Sequence, residues 1–69
     1  MKKIYYISVY DDEGNDCMVS YDNEPTWNLD NAMTFETSAD ATLWTMSDQA
    51  KEWTKDTTNR FVICETEIE

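Results

Sequence analysis

Nearly all the side chains that could do chemistry in this chain are carboxylates. Fifteen Asp and Glu accompany two Cys and no His in 69 residues. Ser and Cys nucleophiles need an activating base, most often His. A pair of carboxylates can act as acid and base only where a cleft raises the pKa of one of them. A chain this short buries only about 60% of its unfolded surface, which leaves little room for such a cleft. The composition therefore indicates a protein that is not an enzyme.

The residues also disfavour a metal or cofactor site. Cys17 and Cys64 stand alone, without the paired Cys or His spacing that zinc requires. The acidic run at 11–16 allows a calcium interpretation, but Gly14 comes too early for an EF-hand loop and the flanking segments are strand-like. Gly14 is also the single glycine of the chain, which excludes a glycine-rich phosphate loop. We expect a hairpin turn with solvated acids, no metal and no cofactor.

The formal net charge is −10. A chain with this charge repels phosphate backbones and anionic lipids, so we expect no direct binding to nucleic acid or to a membrane surface. The apolar run at 4–9 is too short and too rich in β-branched residues for a secretory or membrane segment. We therefore expect a cytoplasmic protein, a compartment in which thiols stay reduced, and a disulfide between Cys17 and Cys64 is left open as the alternative.

Hydrophobic and aromatic residues indicate a folded chain despite the charge. Hydrophobic residues make up 41% of the sequence, and the aromatic residues among them make up 13%. The chain has one Gly and one Pro, whereas disordered chains are rich in both and poor in aromatics. The length predicts a single domain over residues 1–69. Segments rich in Ile, Val, Tyr and Phe predict strands at 3–10, 17–22 and 60–68, with a short additional strand at 32–36. A polar loop at 22–31 joins the second strand to this short one.

The clearest predicted element is a helix over residues 38–55. Thr37 followed by Asp40 is typical of a helix start, and Asp40 also suits the positive end of the helix dipole. Spacings of three and four predict one buried apolar stripe, formed by Ala39, Leu43, Met46, Ala50 and Trp53. The order β-β-(β)-α-β predicts an α+β domain of two layers, in which one helix packs on an antiparallel sheet of three to four strands.

The acids of this helix fall on the side away from the stripe. At about 100° per residue, Asp48 lies almost opposite the stripe, with Glu52 beside it and Asp40 on a flank. Trp44 falls on the same outer side, and two interpretations of it stay open. Either the loop at 22–31 or a sheet edge covers Trp44, or it is an exposed anchor at a protein interface, where Trp is enriched.

Two further groups extend the acidic surface. Trp27 is a second candidate anchor, in the loop that also contains Asp22 and Glu24. Alternating carboxylates lie on one face of the last strand, beyond Phe61 and Ile63: Glu65, Glu67 and Glu69. They repeat at about 6.6–6.8 Å, close to the phosphate spacing along a nucleic-acid strand. The candidate partner-binding residues are therefore Trp27, Trp44, Asp22, Glu24, Asp40, Asp48, Glu52, Glu65 and Glu67.

Three segments resemble small phage-encoded proteins: the opening at 1–5, the phrase at 34–41 that leads into the helix, and the acidic final strand. Acidic single domains of this kind are similar to inhibitors that mimic DNA, including anti-CRISPR and anti-restriction proteins and inhibitors of uracil-DNA glycosylase. The resemblance implies a phage protein that acts in the host cytoplasm. It assigns no contact residues to this chain.

Two functions are consistent with the sequence. In the first, the protein is an inhibitor whose acids occupy the basic nucleic-acid-binding surface of another protein, with a Trp as anchor. In the second, it is a small structural or assembly protein that self-associates. The sequence leaves monomer and homodimer open.

Overall fold

Strand β1 (Lys2–Tyr10) is the central element of the computed structural model of this chain, which describes residues 2–55 and 57–68. The remaining strands and helices, in chain order, are β2 (Asp16–Val19), β3 (Pro25–Thr26), a short 3₁₀ helix (Leu29–Asn31), β4 (Thr34–Phe35), α1 (Ser38–Thr45), α2 (Asp48–Thr54) and β5 (Arg60–Ile68). A five-stranded antiparallel sheet forms one layer and the helices form the other. The predicted small two-layer α+β domain is confirmed.

Two edges of β1 organise the sheet. Along one edge, β5 pairs antiparallel with β1 over its whole length, from Lys2↔Ile68 to Tyr10↔Arg60. The other edge is shared, because β2 pairs near Tyr10 and β4 pairs at 5–6. Strand β3 extends the sheet beyond β2. The prediction of a loop throughout 22–31 is therefore wrong, since this segment contains β3 and the 3₁₀ helix. The predicted strand at 60–68 is confirmed, whereas the second and the additional strand are shorter than predicted.

The two faces of the sheet differ in what covers them. Paired residues share a face, so the odd-numbered residues of β1 and β5 project to one side and the even-numbered residues to the other. Ile7 and Val9 on the odd side are buried in a core with Val19. Both helices contribute to this core. The even side, called the open face below, is covered by neither α1 nor α2, and Ile4 on this side is buried at 8% exposure.

The predicted continuous helix at 38–55 is wrong. The structure has α1 and α2, separated at Met46 and Ser47. Ser47 has an extended backbone and caps α2, because its hydroxyl oxygen accepts a hydrogen bond from the amide of Ala50 at 3.3 Å. Its hydroxyl also donates to the carbonyl of Trp44. The predicted start is confirmed, since the Thr37 hydroxyl oxygen accepts from the amide of Asp40 at 3.1 Å.

The break changes which helix residues are buried. Ala41, Trp44 and Ala50 lie in the core, while Leu43 and Met46 are 65% and 68% exposed. The predicted stripe is therefore wrong at Leu43 and Met46, and also at Ala39, which is exposed. The outward placement of Trp44 is wrong as well. Ser47 ends α1 before the stripe can continue, and packing on the sheet sets the orientation of each short helix separately.

None of the helices in the described part of the chain is long and apolar enough to cross a membrane. Asp56 and Glu69 lie outside the described residues.

Candidate functional site

The described carboxylates lie at the surface and are sparse on the open face. Each is exposed except that of Asp11, which is half-buried. On the described strands, Asp16 is the single acid that the register directs to the open face. The acids therefore concentrate on the helices, on the loops and on the odd side of β5.

The helix acids form one part of this surface. Asp48 begins α2 and Glu52 follows one turn later, so the two lie on the same side of the helix. Asp40 occupies the first turn of α1. An Oδ1 of Asp48 lies 3.6 Å from Nζ of Lys51, an exposed ion pair that contributes little to stability. These three acids are available to a partner.

Glu65 and Glu67 lie on the odd side of β5, opposite Tyr5 and Lys3. The Tyr5 hydroxyl donates to Oε1 of Glu65 at 3.1 Å, and this hydrogen bond raises the pKa of Tyr5. Nζ of Lys3 lies 3.8 Å from the same carboxylate. Of the two acids, Glu65 therefore has its charge partly offset by a neighbouring cation.

Trp27 is the most exposed tryptophan of the described residues, at 74%. Its indole N–H donates to the backbone carbonyl of Asp16 at 2.8 Å. This hydrogen bond holds the ring next to the first residue of β2. Asp22 and Glu24, its neighbours in sequence, lie in the turn between β2 and β3 instead. The structure thus places Trp27 beside the hairpin that joins β1 to β2.

A cleft of about 120 Å³ opens between Trp27 and Trp53. Val9 and Cys17 supply apolar lining, and four polar residues complete the wall: Asp11, Asn15, Asp16 and Asn59. The indole N–H of Trp53 donates to Oδ1 of Asn23 at 2.8 Å, and Asn59 Nδ2 donates to the carbonyl of Trp53 at 2.7 Å. These bonds hold both the second indole and one polar wall in place.

Two indoles beside the Asp11 carboxylate suit a cationic head group. Aromatic faces attract Lys and Arg side chains, and carboxylates add charge-assisted hydrogen bonds. At about 30 Å³ per water, the cleft has the volume of about four water molecules, which is enough for one side-chain tip. Sequence reasoning found Trp27 but not its companions, because Trp53 and Asp11 approach it only through the fold.

The cysteines lie on opposite sides of the sheet. Cys17 pairs with Val9 on the odd side, and Cys64 pairs with Tyr6 on the open face. Both thiols are free. Burial raises the pKa of Cys17, and the neighbouring Asp16 charge raises it further, so this thiol stays protonated at neutral pH.

The hairpin turn next to the cleft is organised by the carboxylate of Asp11. Oδ1 accepts from the amides of Glu13 at 2.9 Å and Asn15 at 3.0 Å, and Oδ2 accepts from the side-chain amide of Asn15 at 3.2 Å. Gly14 takes a positive φ of 86° in this turn, which glycine adopts without strain. The bonds from Asn15 are the main cause of a lowered pKa at Asp11.

We expect the turn to lose stability in acid through this group. A lowered folded pKa means that the ionised form stabilises the fold above the ordinary value of 3.8, and that the contribution is lost as the pH falls through the lowered pKa. Asp11→Ala should lower the melting temperature at pH 7 and reduce its fall below pH 4. Asp11→Asn keeps an acceptor oxygen and should lose less. An NMR titration that places the Asp11 midpoint at or above 3.8 contradicts this prediction.

Comparison with protein-family models, curated proteins and solved structures found no match. Within residues 2–55 and 57–68, no cluster of three or more Asp, Glu or Cys side chains has an arrangement that could hold a metal ion. The function is therefore argued from the acidic surface and the Trp27 cleft.

Proposed function

We propose that this protein binds a basic surface of a nucleic-acid-handling protein and blocks that surface against nucleic acid. The observation that carries the proposal is the Trp27 cleft, where an exposed, hydrogen-bonded indole lies with Trp53 and Asp11 in the lining. A Lys or Arg side chain of the partner enters the cleft, between Trp27 and Trp53. A CRISPR effector, a restriction enzyme or a repair enzyme has a surface of the required charge.

Preorganisation supports Trp27 as the anchor. Binding orders side chains at a cost of about 0.5–1.5 kcal/mol for each rotamer-rich group. The bond from the Trp27 indole to the Asp16 carbonyl already restricts this ring in the free protein. Trp is also enriched among the residues that dominate interface energetics.

The remaining acids act at long range. A net charge of −10 steers a basic partner toward the molecule and raises the association rate, most strongly at low salt. Exposed carboxylates on α2 and β5 contribute to this electrostatic attraction without the desolvation cost that burial would add. The acids and the anchor therefore have separable kinetic effects, on association and on dissociation respectively.

Capture followed by competition tests the proposal. The immobilised chain is expected to retain a nucleic-acid-binding protein from a lysate of its native host, and duplex DNA should compete with that capture. In a gel-shift assay, the captured protein should lose its DNA as the complex forms. A ternary complex that binds DNA at full affinity contradicts the proposal.

Charge reversal provides a kinetic prediction with the same partner. The double substitution Asp48→Lys and Glu52→Lys should slow association about tenfold and flatten its salt dependence, because surface charges act mainly on the encounter rate. Stopped-flow association at several NaCl concentrations measures both effects. The matched control is Glu13→Lys with Asp30→Lys, an equal change of charge at exposed positions in the β1–β2 turn and in the 3₁₀ helix. Equal slowing by the two pairs contradicts a specific role for α2.

A further inference from the structure

We infer that the open face is the interface of a homodimer, in which the open faces of two copies pack against each other. The even-numbered residues of β1, β2, β4 and β5 form this face. Its apolar residues include Val62 and Ile68, which are 43% and 42% exposed, whereas Ile4 on the same face is buried within the chain. Tyr6, Tyr10 and Met18 lie on the same face, and aromatic residues and Met are enriched in interface cores.

The charge distribution favours a second copy as the occupant. The strands direct three charged residues to this face: Lys2, Asp16 and Arg60. The face is thus nearly neutral in a chain of charge −10. When two copies meet here, the acids of the helices and of β5 point away from the contact, where salt screens their repulsion beyond about 10 Å.

Shape complementarity gives the arrangement. A hollow of about 280 Å³ lies at β2 and reaches the open face, lined by Tyr6, Ser8, Asp16, Cys17, Met18 and Trp27. On the β5 side, Val62 pairs with Ser8 and so lies at the same height along β1 as Ser8 and Met18. A two-fold axis parallel to β1, between the two sheets, places the Val62 of each copy over the hollow of the other.

The same two-fold axis brings opposite charges of the two copies together at one end of the sheet. Arg60 and Asp16 both pair with Tyr10, from opposite edges of β1. The rotation exchanges these edges, so the Arg60 of each copy, whose Nη2 lies 3.5 Å from Oδ1 of Asp12 in its own chain, also faces the Asp16 of the other. The contact is isologous, as expected for a closed dimer.

The size of the face sets the expected affinity. Nine residues of β1 at about 3.4 Å and three strand spacings of about 4.8 Å give a footprint of about 400 Å². Side chains that project from the sheet add to this area, so two copies bury about 1,000 Å² in total, which is the low end for specific interfaces. We therefore expect dissociation in the micromolar range.

Sedimentation velocity over about 1 µM to about 1 mM protein tests the inference. The wild-type chain should convert from monomer to dimer across this range, and NaCl from about 50 mM to about 500 mM should strengthen the dimer by screening net repulsion. Val62→Lys should weaken association at least about tenfold, because the two-fold axis repeats the substitution. Leu43→Lys, at an exposed apolar residue of α1, is the matched control and should leave the dimer unchanged.

Charge exchange tests the arrangement, with circular dichroism as a check of folding. Arg60→Glu should weaken the dimer, and adding Asp16→Lys in the same chain should restore it. If Val62→Lys does not fold, Ile68→Lys replaces it. A monomer at all concentrations, a dimer lost in Leu43→Lys but kept in Val62→Lys, or no rescue by the charge exchange overturns the proposed interface.

Discussion

Trp44→Ala is expected to destabilise the domain by about 3–5 kcal/mol, the cost of removing a buried Trp from a core. The side chain is 9% exposed and packs with Ile7, Val9 and Val19. Its ring meets Phe61 edge to face, with centroids 5.6 Å apart and an interplanar angle of 78°. Since a domain of this size has a total stability of several kcal/mol, the variant should be largely unfolded at room temperature. Urea unfolding followed by circular dichroism measures the change.

Leu43→Ala is the matched control for this prediction. Leu43 is the preceding residue of the same helix and is 65% exposed, so its truncation should change the free energy of unfolding by less than about 0.5 kcal/mol. The stripe predicted from the sequence requires the reverse order of effects. A larger loss in Leu43→Ala than in Trp44→Ala would contradict the packing described above.

Trp27→Ala is expected to speed dissociation from the captured partner by about 30-fold, which corresponds to the 2 kcal/mol typical of an interface hot spot. The physical reason is the loss of the aromatic wall that contacts the partner's cation. The association rate should change little, because the charge of the molecule is unaltered. Surface plasmon resonance with the immobilised partner measures both rates.

Tyr21→Ala is the control, since Tyr21 is a 68% exposed aromatic residue outside the cleft. Its dissociation rate should stay near that of the wild type. Trp27→Phe keeps an aromatic face but loses the bond to the Asp16 carbonyl, so its rate should fall between those of the wild type and Trp27→Ala. An unchanged rate in Trp27→Ala would show that another residue anchors the complex.

Local signals predicted much of the backbone. The β-branched and aromatic residues at 3–10 and 60–68 mark the long strands, and Thr37 marks the start of α1. The alternation on β5, with Phe61 and Ile63 on the helix side and Val62 on the other, also follows from the period of two in a strand. These features depend on residues close in sequence.

The helix break shows where a periodic pattern misleads. Ser47 is a favourable N-cap residue, and Asp48 after it suits the first turn of a helix. Both were visible in the sequence, but an apolar spacing of three and four continued through them. The capping bond ends one helix and starts another, and Trp44 then turns to the core while Leu43 faces solvent.

By itself, the sequence determined the fold class, the long strands, the surface charge and the absence of His, because these follow from composition and local periodicity. Tertiary structure decided which tryptophan is buried and which is exposed. It also brought Trp53 and Asp11 to Trp27, although they are distant along the chain, and placed α1 and α2 on the same face of the sheet. The reason is that a short helix has little preference for one orientation until its apolar side chains pack on the sheet.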